Sequence, residues 1–294
     1  MRLAIPIAVL VLAGAAHAEP APLKAYMEQA RVQPSARIAY GQAPSQVVEL
    51  FLPKGRGPHP VVVLLHGGCF LKQFEGLPQT SGIAADLARR GMAVWNVEYR
   101  RLPEPGAGYP GTFEDVAAAI DRIAADAARY DLDATRVVAL GHSAGGHLAL
   151  WAAARGKLPQ TSPLYREAPV RLRAAISLAG IGDLEGQGDV FGRPCGQETL
   201  PQLIGFKDRK AAYADTSPAA LLPTGARIVM VHGVFDPVMP PYTGLAFADR
   251  ARKAGDAAEV VILADAAHFD PVIPTTPAWR AVARVVEREA KRLR

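Results

Sequence analysis

Short β-branched runs alternate with longer stretches of helical period along this chain, and that alternation restricts it to one kind of architecture. The runs are Val47 to Leu52, Val61 to Leu65, Ala93 to Val97, Val137 to Leu140, Ala174 to Leu178, Ile228 to Val231 and Val260 to Leu263. Strands separated by helical segments need crossover connections, so the pattern predicts an α/β fold with a mostly parallel central sheet and helices on both faces. Between the runs, Phe113 to Arg129 places Val116, Ile120, Ile123 and Ala127 on one face, the spacing of an amphipathic crossover helix. Ser81 to Arg90 stops at Gly91 with Arg89 and Arg90 in its last turn, and Ala278 to Leu293 closes the chain as a further helix. At 294 residues, 50% of them hydrophobic, the chain can bury one large core, and a single catalytic domain over residues 46–294 is expected.

Three segments frame that domain. Residues 1–18 have the form of an export signal: Arg2, then the apolar stretch Leu3 to Ala15, then Ala16-His17-Ala18 as a small-x-small cleavage site. The alternative, a membrane anchor, needs an apolar run of roughly 18 residues, which this one does not reach. The expected location is therefore secreted or periplasmic, with no stable membrane insertion. Residues 19–45, rich in Ala, Pro and Gln, read as an arm with a short helix near Lys24 to Ala30 and no chemistry of its own. Residues 182–225 hold Gly, Pro and Cys without a strand period, and so read as a lid inserted into the domain.

The net charge of +5 does not point to a nucleic-acid partner, because the Lys and Arg residues are scattered or lie on helix faces without interleaved aromatics. The two cysteines, Cys69 and Cys195, match no metal-site spacing, so no metal is expected. In an oxidising compartment they can form a disulfide; the alternative is two unpaired thiols acting as small hydrophobes. Oligomeric state is not legible.

The chemistry concentrates in a few loops. Directly after the run Val137 to Leu140 comes Gly141-His142-Ser143-Ala144-Gly145, followed by a helix-compatible stretch. G-x-S-x-G between a strand and a helix exposes the serine hydroxyl on a tight turn above the sheet, with a helix N-terminus behind it. His66-Gly67-Gly68-Cys69-Phe70 follows the run Val61 to Leu65. Its glycines can aim successive amides into one cavity, which makes the Gly68 and Cys69 N–H groups, joined by that of Ala144, candidates for an oxyanion hole. A plain Gly-Gly turn is the competing reading of the same residues.

A serine nucleophile needs a base, and the base needs an orienting acid. Of the seven histidines, His17 lies in the leader, His59 in a Pro-flanked turn, His66 and His232 end strands before glycine, His142 is the variable position of the elbow, and His147 lies within the following helix. His268 remains, on the loop after Val260 to Leu263. Asp236 is the preferred acid, in Val231-His232-Gly233-Val234-Phe235-Asp236-Pro237 after a strand, with Asp183 as the runner-up; Asp265 and Asp270 read as loop-shaping or exposed carboxylates.

With these motifs the chain resembles the α/β-hydrolase superfamily, specifically its esterase-lipase group with an H-G-G-x-W oxyanion loop, which includes kynurenine formamidase-like and feruloyl-esterase-like proteins. The resemblance runs from about Val47 to the C-terminus and departs from the pattern at Phe70, where tryptophan is usual. It implies the α/β-hydrolase fold and cofactor-free acyl transfer through an acyl-enzyme without naming a substrate; the leading expectation is a carboxylesterase acting on a small-molecule ester. An amidase, whether an aryl formamidase or a prolyl-oligopeptidase-like exopeptidase, uses the same triad and is the main alternative. A non-catalytic binding protein on the same fold is a third.

Overall fold

The structure, a computed structural model, describes residues 21–74 and 76–292. The leader expected at 1–18 lies outside them.

Eight strands form one sheet in the order β1-β2-β4-β3-β5-β6-β7-β8. They are β1 Ala36–Ala39, β2 Val47–Phe51, β3 His59–Leu65, β4 Ala93–Val97, β5 Leu132–His142, β6 Ala174–Leu178, β7 Arg227–Gly233 and β8 Ala258–Leu263. From β4 across to β8 every pairing is parallel, while β1 and β2 are antiparallel. The mostly parallel sheet therefore matches the expectation, and the strands were legible because each is built around a short, mainly apolar run. Along β3, Val61, Val63 and Leu65 enter the core on one face and Val62 and Leu64 the core on the other, all essentially without solvent contact. Each such side chain contributes about 1.5–3 kcal/mol of burial.

Helices cover both faces. On one, α3 (Gly111–Tyr130) and α4 (Ala144–Ala154) bury Phe113, Ile120, Leu148 and Trp151. On the other, α2 (Leu77–Arg89) and α8 (Pro277–Lys291) bury Ile83, Leu87, Trp279 and Val282. A short helix, α1 (Leu23–Met27), precedes β1; α5 (Leu184–Cys195) and α6 (Thr199–Ile204) lie between β6 and β7; and α7 (Pro241–Ala254) joins β7 to β8. Among the described residues no helix is long and apolar enough to cross a membrane.

One expected boundary needs correcting. The sheet does not begin at residue 46, because Ala36–Ala39 of the expected arm pairs with β2 as an edge strand. Only Ile38 of this four-residue strand is buried, too short an apolar signal to stand out in the sequence. The arm is also bound to the domain. Arg31 pairs with the fully buried Glu49 carboxylate of β2, the Ala21 N–H donates to the Asp270 carboxylate at 3.2 Å, and the Val32 N–H donates to Ser81 Oγ at 3.1 Å. In addition, α7 escaped the sequence reading, since Tyr242 and Leu245 on its first turns are exposed and break the apolar stripe that Phe247, Ala248 and Ala251 would otherwise make.

Candidate active site

Strand register decides which loops meet. Leu65 at the end of β3 is level with Gly141 near the end of β5, so the His66-Gly67-Gly68 loop and the Ser143 turn leave the sheet side by side. Likewise Gly233 of β7 is level with Leu263 of β8, and the loops carrying Asp236 and His268 emerge together. Both pairs lie at the carboxyl edge, where open parallel sheets place their ligands.

The turn at Ser143 is as tight as the motif requires. Ser143 has φ 51° and ψ −117°, a conformation that costs an ordinary residue of order 1–3 kcal/mol. The flanking glycines make room for it: a Cβ on Gly141 would stand 2.0 Å from the Gly145 carbonyl oxygen, and one on Gly145 would stand 2.1 Å from that of Leu65. The Ser143 N–H donates to the Leu178 carbonyl at 2.8 Å, which anchors the turn to β6.

Opposite the serine, Gly68, Cys69 and Phe70 take left-handed backbone angles in succession, with φ of 102°, 54° and 59°. Such a bend turns successive amides toward one side. Among the described residues, the N–H groups of Gly68, Cys69 and Ala144 have no protein acceptor, whereas their neighbours Ser143 and Leu71 do. The bend is held from below by a buried cluster that the sequence reading missed. His66 Nδ1 lies 2.8 Å from the Gly67 carbonyl oxygen, and Nε2 lies 2.9 Å from Glu98 Oε1. Arg101 reaches the same carboxylate at 3.2 Å and donates to the Phe74 carbonyl at 2.5 Å. Burial would raise the Glu98 carboxyl, yet His66, Arg101 and the Tyr99 amide hold it down to about 2. Its only signal in sequence is Glu98-Tyr99-Arg100-Arg101, a charge cluster straight after a strand. Cys69 is tied to Cys195 at the end of α5 by a disulfide, Cα to Cα 5.4 Å.

On the other flank, His268 Nδ1–H donates to Asp236 Oδ2 at 2.9 Å. The second oxygen, Oδ1, accepts from the N–H groups of Val238 and Met239, both at 2.8 Å. Burial works to raise this carboxyl; the imidazole and the two amides outweigh it and hold it below the usual carboxylate range. β8 lies three strands from β5, about 14 Å at ~4.8 Å per strand, so the His268 loop must reach back across the sheet. His142 helps to hold it there, since its Nε2–H donates to the His268 carbonyl at 2.9 Å. Burial, and then the proximity of His268, push His142 down to about 3, which keeps it a neutral ring.

Ser143 and His268 line one cavity of about 240 Å³ together with Gly68 and Cys69. Its remaining walls come from Phe74, Gln79, His142, Val238 and Phe269, from Pro194 of α5, and from Leu23 and Tyr26 of α1. Among the described residues no Asp, Glu, Lys or Arg lines it. The structure thus brings Gly68, Cys69, Ser143 and His268 to one cavity, with Ala144 next to the serine and Asp236 behind the histidine. Asp183 is elsewhere: it caps α5, accepting from the Gly186 N–H at 3.1 Å, and pairs with Arg250 at 2.8 Å. Asp270 is buried and accepts from the Ala267 N–H at 2.9 Å, a loop-shaping role. Phe70 is fully buried against His147 and Phe191 and does not line the cavity. Among the described residues no cluster of three or more His, Cys, Asp or Glu is placed to hold a metal ion.

Comparison with known proteins identifies the family and the fold. The family model described as BD-FAE matches residues 48–250. The probable isoprenylcysteine α-carbonyl methylesterase ICMEL1 of Oryza sativa subsp. japonica is 26% identical over 250 residues, 79% of this chain and 56% of its own length. The probable carboxylic ester hydrolase LipM of Mycobacterium tuberculosis is 27% identical over 201 residues, 67% of this chain and 46% of its own. The chain thus spans about half the length of the curated relatives it matches. Among solved structures, esterase B from Lactobacillus rhamnosis superposes with a TM-score of 0.76 at 18% identity, covering 92% of this chain and 90% of that one. The thermophilic esterase Est2 of Thermogutta terrifontis gives 0.70 at 22% identity, over 89% and 95%. At such identities these likenesses establish the α/β-hydrolase fold.

Proposed function

Since the chain belongs to the BD-FAE family of α/β-hydrolase esterases, we propose that it is a serine hydrolase that cleaves small carboxylic esters through an acyl-enzyme on Ser143. The observation that carries this reading is the His268–Asp236 hydrogen bond behind a cavity that Ser143 and His268 share. With Nδ1–H committed to Asp236, His268 Nε2 is the nitrogen left to accept the Ser143 proton. Ser143 Oγ then bonds to the ester carbon. The oxygen that becomes negative is stabilised by the amides of Gly68, Cys69 and Ala144, which have no acceptor among the described residues. Collapse of this intermediate breaks the ester C–O bond, and the imidazolium returns its proton to the departing alcohol. Water, deprotonated by the same imidazole, releases the acid and restores the serine. Asp236 keeps the tautomer and stabilises the imidazolium.

An ester suits the cavity better than a peptide, because its lining among the described residues is mainly apolar and includes no carboxylate that would receive a free amino terminus. The same reading makes residues 182–225 a lid, with α5 bringing Pro194 to the cavity. It also places the protein outside the cell or in the periplasm, which the leader pattern at 1–18 and the Cys69–Cys195 disulfide support. A fluorophosphonate probe should label the protein at Ser143 and leave Ser143→Ala unlabelled. In a panel of p-nitrophenyl esters, an aryl formamide and an X-Pro anilide, the esters should be turned over fastest. Absence of labelling would remove the serine mechanism; preferential cleavage of the formamide or the anilide would make the protein an amidase.

A further inference from the structure

The N-terminal arm has no part in the acyl-transfer chemistry, yet two of its side chains are walls of the cavity that holds the ester. Tyr26 is almost fully buried. Its ring stacks on Phe269 at 5.1 Å between centroids and meets His142 edge-on at 5.7 Å. Those two rings in turn contact His268, at 5.0 and 4.7 Å. The arm is fastened on the far side of Tyr26 as well, since Gln29 Nε2 donates to the Tyr26 and Gln79 carbonyls at 3.1 and 3.3 Å. Tyr26 is therefore a fixed wall. Leu23 differs: it lines the same cavity but is 44% exposed, so it stands at the boundary between cavity and solvent with room to be changed.

We propose that the arm sets the size limit of the substrate, with Leu23 as the specificity-determining residue that limits how long an uncharged acyl group the cavity admits. The proposal rests on the esterase reading above. A cavity of about 240 Å³ with no charged side chain among its described lining residues suits a short acyl chain or a single ring, since one of roughly 150 Å³ already accommodates benzene. Truncating Leu23 removes apolar lining at the open end of that space and lets additional methylenes lie in the cavity; a larger side chain shortens it. A single methylene in an apolar pocket typically changes selectivity by ~10-fold or more.

The test is the ratio of kcat/KM for p-nitrophenyl octanoate to that for the acetate, in the wild type, Leu23→Ala and Leu23→Trp. The ratio should rise about tenfold in Leu23→Ala, mainly through a lower KM for the octanoate, and fall in Leu23→Trp. Lys24→Gln, on the same turn with a side chain that is 78% exposed, is the control and should match the wild type. Because Leu23 is half exposed, neither replacement threatens folding. Ratios within twofold of the wild type in both Leu23 variants, with ester turnover intact, would overturn the role of the arm and leave the esterase reading standing. If the wild type cleaves no ester at all, the esterase reading fails first and takes this proposal with it.

Discussion

The two halves of the site are built differently. The proposed chemical groups hang from the carboxyl ends of neighbouring strands: Ser143 from β5, the Gly68–Cys69 amides from β3, Asp236 from β7 and His268 from β8. Strand register fixes these to one another before any side chain is considered. The walls that shape the cavity come from outside the sheet, from the arm through Leu23 and Tyr26 and from α5 through Pro194. One of these segments is held by hydrogen bonds and an aromatic stack, the other by a disulfide. Rigid elements thus aim the reacting groups, and peripheral segments, which can vary without disturbing the sheet, define what fits.

If that division holds, the largest losses must come from the strand ends. Ser143→Ala and His268→Ala should each lower kcat by a factor of about 10⁴ or more, and the double variant should be little worse, because nucleophile and base act as a unit. Asp236→Asn should cost roughly 10⁴ with the melting temperature nearly unchanged, as the amide favours the wrong imidazole tautomer. Steady-state kinetics beside thermal unfolding would check all three. A silent Asp236→Asn together with a large loss in Asp183→Asn would move the acid to α5 and dissolve the distinction between the two halves.

The disulfide joins the halves, and opening it should have an intermediate effect. It spans 126 residues, for which chain entropy allows up to roughly 4–5 kcal/mol of stabilisation. Cys69→Ala/Cys195→Ala should therefore melt at a lower temperature. It should also turn over several-fold more slowly, because the Cys69 amide is no longer held through α5. A double variant with both properties unaltered would show that the left-handed bend at residues 68–70 is maintained by the His66–Glu98–Arg101 cluster alone.

The smallest effect separates the halves by pH. His142, pushed down to about 3 by burial and His268, and His147, pushed down to about 4 by burial, both belong to the β5–α4 unit; the arm and the segment between β6 and β7 contain no histidine. Below pH 6.5 the unfolded chain binds protons that these buried rings refuse, so stability falls as pH drops from 6.5 toward 4, at up to ~1.4 kcal/mol per pH unit for each ring. The depressed carboxylates act in a lower window. Glu98 contributes stability that is complete only above about 4.5 and is lost as pH falls toward about 2. His147→Asn, whose amide can still donate to the Ile181 carbonyl, should flatten the slope between pH 6.5 and 4.5 in denaturant titrations, whereas Leu23→Ala should leave it unaltered. Equal slopes in His147→Asn and the wild type would contradict this assignment.

How much of this was legible in the sequence follows the same line. The strand runs, the turn at Ser143, the glycine loop after β3 and the positions of Asp236 and His268 are all visible, because each depends on local pattern: a short β-branched run, a strand-to-helix turn, or a polar residue just past a strand end. The cysteines were visible as a pair without a stated distance. The edge strand β1 and helix α7 were not, since each exposes residues that blur its period. No local pattern could show that Leu23 and Tyr26 line the cavity, or that Glu98 and Arg101 brace the loop at Gly68. Those facts depend on where the chain returns in space: the Ala21 N–H meets Asp270 across 249 residues, and His66 meets Glu98 across 32. The sequence by itself thus determined which groups could react and on which loops they stand. Only the packing of distant segments decided the cavity in front of them, because contacts between residues far apart in the chain leave no periodic trace along it.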